Sequence, residues 1–120
     1  MYHGILVDHA LDDPTIIKKF KILGTRKKYA WTLYLIEISD LSVEDTLQEI
    51  QKNLKSQFYI HFYKGHKMYV IYKNKIFIMD PYDKLTWREC IQHGLLERIP
   101  LDDLKFAPCT PEDEKKYFKG

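Results

Sequence analysis

Residues 58–79 have the sequence FYIHFYKGHKMYVIYKNKIFIM, and the fold prediction starts from them. The stretch contains three runs rich in aromatic and β-branched residues, a composition typical of strands. We therefore predict three strands, over Phe58 to Tyr63, Lys67 to Tyr72 and Ile76 to Met79. Gly65-His66 and Asn74 mark the turns between them. Connections this short join antiparallel neighbours, so the stretch predicts two consecutive hairpins.

Because side chains alternate along a strand, the register of the first hairpin divides this stretch into two faces. A two-residue loop at Gly65-His66 would pair Lys64 with Lys67. The first face is then rich in Ile and Phe and should pack against helices. The second face carries Tyr59, His61, Tyr63, Met68, Val70, Tyr72, Phe77 and Met79. A solvated antiparallel face normally carries Lys, Glu, Thr and Ser instead, so we expect this face to be covered or to bind something.

Three occupants of the second face are open from the sequence. The tail over residues 105–120 would cover it from within the chain, using Phe106, Tyr117 and Phe118. A second copy of the chain is the next occupant, since symmetric pairs are the commonest oligomers. A small ligand or a nucleic acid is the third. The candidate binding residues on this face are Tyr59, His61, Tyr63, Met68 and Tyr72.

Upstream of this stretch, the sequence predicts three further strands and two helices. The strands are expected over Tyr2 to Val7, Phe20 to Arg26 and Trp31 to Ile38. Asp13-Pro14 predicts the start of a short helix ending near Lys19, because Asp caps helices well and Pro suits the first helical position. Ser42 with Asp45 resembles a capping box for the second helix. Its apolar stripe is formed by Val43, Leu47, Ile50 and Leu54.

Downstream, Thr86 and Glu89 form a second capping box, which predicts a helix with one buried stripe. That stripe consists of Trp87, Ile91 and Leu95. We expect Gly94 to end or loosen this helix, because glycine costs about 1 kcal/mol in a helix interior. Thr110-Pro111 predicts the start of a last short helix.

The resulting order, β-α-β-β-α-β-β-β-α, predicts an α+β fold in which helices cover one face of an antiparallel sheet. Its βαββαβ portion has the order of a ferredoxin-like fold, which the later strands would extend. The chain has 120 residues, so we expect a single domain over residues 1–120, with 105–120 as a docked tail.

Composition excludes several classes of protein. Hydrophobic residues make up 45% and charged residues 30% of the chain, which is typical of a globular protein rather than a disordered one. The net charge of +2 excludes a polybasic protein, and two cysteines exclude a disulfide-dense scaffold. The opening residues lack the basic segment of a signal peptide, and no apolar run is long enough to span a bilayer. We therefore expect a cytoplasmic protein without a membrane partner.

The groups that could carry out chemistry form no specific motif. Cys90 and His93 are three residues apart, and Cys109 lies downstream, but one ligand pair does not predict a metal site. Core packing explains Cys90 better than catalysis does, since free cysteine is among the most buried residue types. No phosphate-binding glycine motif is present, so no cofactor is predicted. An enzyme with a small pocket around His61, Tyr59 and Tyr63 stays an alternative.

The densest basic segment is Arg26-Lys27-Lys28, and Lys18, Lys19 and Lys21 precede it. Together with Tyr59, Tyr63 and Tyr72, this segment would bind single-stranded RNA through phosphate contacts and base stacking. A solvated hairpin loop is the simpler interpretation of the same lysines.

Several segments carry a resemblance to a known group of proteins. They are Tyr2-His3-Gly4-Ile5-Leu6-Val7, the middle from Tyr59-Ile60-His61 to Lys75-Ile76-Phe77, and Thr86-Trp87 with His93-Gly94 and Ile99-Pro100. On these residues, and over most of its length, the chain resembles a family of small uncharacterised prokaryotic proteins. The resemblance implies no activity or substrate, and no functional residue is transferred from it.

Taken together, these patterns favour a non-enzymatic interaction module that forms a homodimer or binds a partner through the second face. The alternatives are an RNA-binding domain that uses this face with Arg26-Lys27-Lys28, and an enzyme centred on His61.

Overall fold

The computed structural model describes residues 1–118 and contains one six-stranded antiparallel sheet. The strands are β1 (Tyr2–Val7), β2 (Lys21–Lys28), β3 (Trp31–Ile38), β4 (Tyr59–Lys64), β5 (Lys67–Tyr72) and β6 (Lys75–Met79). They lie in the order β2-β3-β1-β4-β5-β6. The predicted α+β class is confirmed, and every strand was expected within two residues of its observed bounds.

The hairpin register inferred from Gly65-His66 is confirmed. Lys64 pairs with Lys67, and Tyr59 pairs with Tyr72 at the far end of the same two strands. The predicted strands left residues 27–30 between β2 and β3, but Lys28 pairs with Trp31 and leaves only Tyr29 and Ala30 in the turn.

Three α-helices and five short 3₁₀ helices surround the sheet within residues 1–118. The α-helices are α1 (Val43–Asn53), α2 (Arg88–Leu96) and α3 (Pro111–Tyr117). The 3₁₀ helices are Asp8–Ala10, Pro14–Lys19, Asp40–Ser42, Lys84–Trp87 and Leu101–Asp103. The expected helix after Asp13 is therefore present in the tighter 3₁₀ form. None of the helices within residues 1–118 has the length and apolar character needed to cross a bilayer.

Both predicted capping boxes are wrong by one turn. Neither Ser42 nor Thr86 caps its α-helix, because a 3₁₀ turn precedes each helix and moves the first unpaired amides upstream. The cap before α1 is Ser39, whose Oγ accepts from the amide of Leu41 at 3.2 Å. The cap before α2 is Asp83, whose carboxylate accepts from the amide of Leu85 at 3.1 Å.

The first sheet face and α1 form one apolar core. The predicted stripe on α1 is buried throughout, and Ile60, Phe62 and Ile71 of the sheet pack in the same cluster. Gly4 lies beneath the Phe62 ring, where an added Cβ would come within 2.2 Å of the ring carbon Cδ1. Glycine at this position therefore lets the aromatic ring lie flat across β1.

The placement of all helices on one face is corrected by the structure. The second face is covered by α2, by the irregular segment 98–110 and by α3. An apolar sheet face must be removed from water, and a second layer of chain accomplishes this.

Helix α2 packs on this second face through its smallest residues. Leu95 of the predicted stripe is 47% exposed, while Cys90 and Gly94 are buried against the sheet. Gly94 does not end the helix. A Cβ there would lie 2.6 Å from Leu104 and 2.7 Å from the Tyr72 hydroxyl, so glycine permits close packing.

Candidate functional site

The five candidate binding residues of the second face lie together on β4 and β5 beneath the C-terminal part of the chain. Met68 and Tyr72 are fully buried, and Tyr63 and His61 are each 4% exposed. Tyr59 is half-buried and contacts the ring of Phe106, itself completely buried, at a centroid distance of 5.1 Å.

The polar atoms of this face donate hydrogen bonds to carbonyls of the covering layer. Tyr59 donates to the Asp103 carbonyl, and Tyr72 donates to the Cys90 carbonyl at 2.8 Å. The Nε2 atom of His61 lies 2.6 Å from the Pro108 carbonyl, which only accepts, so Nε2 carries the proton. Much of the covering layer is irregular backbone, whose buried carbonyls need donors. The covering layer thus accounts for the tyrosine and histidine on a sheet face that is otherwise apolar.

Burial controls the ionisation of this face. It lowers the pKa of His61 to about 4, because a charged imidazolium would be desolvated there, and the bond to Pro108 offsets this only in part. Burial also raises the pKa of Tyr59, Tyr63 and Tyr72, so all three are neutral donors near pH 7.

The covering layer restricts access to the second face and so affects the functions expected of it. A partner or a second copy would reach Tyr63, Met68 and Tyr72 only after the covering segment had moved away. Catalysis at His61 would likewise require a path for substrate to an imidazole that is 4% exposed. Partner binding, dimerisation and catalysis through this face therefore stay predictions.

The two cysteines are free thiols inside the second core. Burial raises the pKa of Cys90 to about 11, and burial with the nearby Asp113 carboxylate does the same for Cys109. Neither thiol is a nucleophile in this state, because the thiolate is the reactive form. Within residues 1–118, no three His, Cys, Asp or Glu side chains are grouped to hold a metal ion.

A polar cluster that sequence patterns did not reveal joins α3 to the sheet. His3 lies between two carboxylates, with Nδ1 2.6 Å from Glu114 and Nε2 3.0 Å from Glu37. The same Glu114 oxygen accepts from the Tyr63 hydroxyl. The His3 hydrogen bond holds the pKa of Glu37 below its usual range. Residues 3 and 114 are 111 positions apart, so no local pattern could have linked them.

The predicted basic segment lies on the exposed edge strand β2, and β3 and β1 separate it from the strands that carry the tyrosines with which it was grouped. Arg26 contacts α3, with its guanidinium 4.3 Å from the centre of the Tyr117 ring and Nη1 3.2 Å from the Tyr117 carbonyl. Lys27 and Lys28 are exposed and form no ion pair within residues 1–118. Arg26 therefore has contacts with α3 that the two lysines lack.

An aromatic pair accompanies these lysines at the turn. Tyr29 is 94% exposed and has φ of 59°, in the left-handed region that favours glycine and asparagine. Trp31 is 40% exposed and is held between the rings of His9 at 5.8 Å and Phe58 at 5.6 Å. The turn thus places two aromatic rings beside Lys27 and Lys28: the exposed ring of Tyr29, and the ring of Trp31, which packs between two other rings.

Comparison with known proteins adds no family to this description. No protein-family model, no curated protein and no solved structure matches the chain. The resemblance to small prokaryotic proteins stays a prediction, and the site has to be judged by its own geometry.

Proposed function

We propose that this protein is a non-enzymatic module that binds single-stranded RNA through the β2–β3 hairpin. The observation that carries the proposal is Tyr29. A tyrosine that is 94% exposed buries no apolar surface, and its left-handed backbone costs about 1–2 kcal/mol relative to glycine. A ligand that stacks on the Tyr29 ring would explain why a residue that contributes so little to stability is present in this turn.

The charge distribution supports the same surface. Residues 14–36 contain six Lys or Arg residues and no Asp or Glu, whereas the whole chain has a net charge of +2. The rest of the chain therefore has a net charge of −4. A cationic segment of this kind attracts phosphates, and its affinity falls with salt because bound counterions are released.

The aromatic residues favour RNA over an acidic protein as the ligand. Unpaired bases stack on exposed aromatic rings, and each stack contributes about 1–3 kcal/mol. Tyr29 and Trp31 provide such rings next to Lys27 and Lys28, which would contact phosphates. Tyr29 and Trp31 take the place of Tyr59, Tyr63 and Tyr72 in the proposal, because the covering layer lies over those three tyrosines and a base can reach the hairpin.

A competing explanation for the lysines is protection of the sheet edge. Lysines on an exposed edge strand prevent pairing with another sheet, and β2 also carries an irregularity in its pairing between Ile22 and Gly24. This explanation accounts for the charges but gives the Tyr29 ring no role, so the two explanations are separable by substitution.

The decisive experiment replaces Tyr29 with glycine. Tyr29→Gly removes the ring and relieves the left-handed strain, so the free energy of unfolding should stay constant or rise by about 1 kcal/mol. Affinity for a fluorescent single-stranded RNA should nevertheless fall about tenfold, as expected for one lost stack. Fluorescence anisotropy and urea unfolding measure the two quantities.

The lysines are tested through the salt dependence of binding. Lys27→Ser with Lys28→Ser should lower the slope of log affinity against log salt by about two phosphate contacts. Lys52→Ser with Lys55→Ser makes the same charge change on exposed lysines at the end of α1, and should leave the slope close to wild type. The proposal would be rejected if the unmodified protein did not bind RNA at low salt. It would also be rejected if both pairs of lysine substitutions lowered the salt slope equally.

Two further features belong to the same proposal. We take β1 to β4 as a ferredoxin-like unit, supported by the spatial order β2-β3-β1-β4 around the helix between β3 and β4. We place the protein in the cytoplasm, where single-stranded RNA is present and where free thiols such as Cys90 and Cys109 persist.

A further inference from the structure

Helix α3 is held on the sheet by two polar contacts and by Tyr117, which packs against the small apolar cluster of Ile5, Leu33 and Leu35. No residue of this seven-residue helix is buried. Glu114 accepts hydrogen bonds from His3 and Tyr63, and Tyr117 lies against the Arg26 guanidinium. Helices this short are marginal in isolation, so α3 belongs to the least stable part of the fold.

These two contacts have the chemistry of a nucleotide. The Glu114 carboxylate provides an anionic oxygen to an imidazole and a hydroxyl, as a phosphate oxygen would. The Tyr117 ring provides a flat π-surface to a guanidinium, as a base would. The two residues are three apart in the helix and so project from the same side, one turn from each other.

The sheet beneath α3 supplies the complementary groups on fixed elements. His3 lies on β1, Tyr63 on β4 and Arg26 on β2. Glu37 holds the other ring nitrogen of His3 at 3.0 Å, which orients Nδ1 toward the position of the Glu114 carboxylate. Arg26 also lies two residues from Lys28, so this set of groups continues the cationic hairpin across the sheet.

We infer that the sheet face formed by His3, Tyr63 and Arg26 is a nucleotide-binding surface, and that α3 is the internal segment that occupies it when RNA is absent. This inference rests on the proposed function and extends it, because one strand of RNA would pass from the hairpin onto the face that α3 leaves. Its phosphate would replace Glu114 at His3 and Tyr63, and its base would replace Tyr117 on Arg26. The Glu114 carboxylate would then compete with RNA for His3 and Tyr63.

The test is to weaken α3 docking and measure affinity for a labelled decauridylate. Glu114→Gln with Tyr117→Ala removes both contacts and should raise the affinity about fivefold or more, because the binding-competent state becomes the main one. The matched control, Glu112→Gln, makes the same charge change at an exposed residue of the same helix and should leave the affinity near wild type. Adding His3→Ala to the undocking variant should abolish its gain.

A second measurement uses the wild-type protein, in case the undocking variant folds poorly. Saturating decauridylate should speed hydrogen exchange of the amides in residues 112–118 several-fold, since α3 leaves the sheet when RNA binds. RNA held at the hairpin alone would leave their exchange unchanged or slower.

The outcomes separate this inference from the proposed function. Binding by wild type that depends on Tyr29, with equal affinity in the undocking variant and unchanged exchange in α3, overturns the inference and leaves the hairpin proposal standing. Binding by the undocking variant but not by wild type supports the inference and rejects the hairpin as sufficient. Absence of binding by both proteins rejects both.

Discussion

His61 illustrates, at the scale of one residue, how a polar group is held in an apolar core. Its ring is 4% exposed and stays neutral, with the Nε2 proton committed to the Pro108 carbonyl. The imidazole thereby satisfies a buried carbonyl that would otherwise be costly to leave unpaired. This single bond joins the middle of β4 to the segment that covers the second face.

The pH dependence of stability follows from the same residue. The unfolded chain binds a proton at His61 below about pH 6.5, whereas the folded chain does so only near pH 4. Because the unfolded state binds more protons in this range, stability should fall as pH drops from 6.5 to 4, by up to about 1.4 kcal/mol per pH unit and about 3 kcal/mol in total. The comparison is urea unfolding of wild type and His61→Gln at half-unit steps. Parallel curves for the two proteins would show that His61 is not the group responsible.

Gly94 is the second residue whose role depends on a tertiary contact. Gly94→Ala should gain about 1 kcal/mol of helix propensity but lose more, because the new methyl group meets Leu104 and the Tyr72 hydroxyl. Tyr72 cannot withdraw without breaking its bond to the Cys90 carbonyl. We expect a net loss of about 1–2 kcal/mol in urea unfolding. The loss should be smaller in a Tyr72→Phe background, and a stabilised Gly94→Ala protein would contradict the packing described here.

At the scale of elements, the α-helices of the two covering layers begin in the same way. A 3₁₀ turn precedes both α1 and α2, and its cap lies four or five residues before the first residue of the α-helix. A capping residue stabilises a helix only where unpaired amides point at its side chain. The sequence contains plausible caps at both positions of each helix, and the backbone path selects the upstream one.

The caps at the start of α1 give a direct comparison. Ser39→Ala removes the oxygen that accepts from the Leu41 amide and should destabilise the protein by about 1 kcal/mol. Ser42→Ala, at the position favoured by the sequence pattern, removes only a 3.3 Å bond from its hydroxyl to the Ser39 carbonyl and should cost less. Thermal unfolding of the two variants ranks them. A larger loss for Ser42→Ala would place the cap at the downstream serine.

The whole molecule is a sheet with both faces covered, and the two layers differ in kind. The first layer is a regular amphipathic helix with an apolar stripe. The second is built from α2, irregular chain and α3, and it contributes Ile99, Leu104 and Phe106 to the core. Backbone carbonyls in this second layer take hydrogen bonds from the sheet, so the two surfaces are matched in polarity as well as shape.

Truncation distinguishes the parts of the second layer. A chain that ends after Thr110 loses α3, uncovers only the small cluster of Ile5, Leu33 and Leu35, and should still unfold cooperatively at a lower midpoint. A chain that ends after Arg98 also loses Ile99, Leu104 and Phe106 and uncovers Tyr63 and Met68. It should show no cooperative transition and should bind a hydrophobic dye. Cooperative unfolding of the shorter chain would show that the covering segment is dispensable.

Sequence patterns were sufficient to predict the strands, the register of the β4–β5 hairpin and the helix stripe that forms the first core. These are local properties. A period of two residues, as in Ile60 and Phe62, shows which face of a strand packs on the core, and a period of three to four, as in Leu47 and Ile50, shows which face of a helix does. The sequence also indicated that the second face was not solvated, since tyrosine, histidine and methionine are poor residues for open surface.

The occupant of that second face depends on long-range contacts. His61 meets Pro108 and His3 meets Glu114 across gaps of 47 and 111 residues, and neither partner belongs to a repeating pattern. The exposure of Tyr29 could not be predicted either, because residues 27–30 contain no glycine or asparagine that would identify the type of turn. Long-range contacts made by irregular backbone leave no periodic signal in a sequence. The segment that covers the second face and the exposed surface of the β2–β3 hairpin could therefore be identified only from the structure.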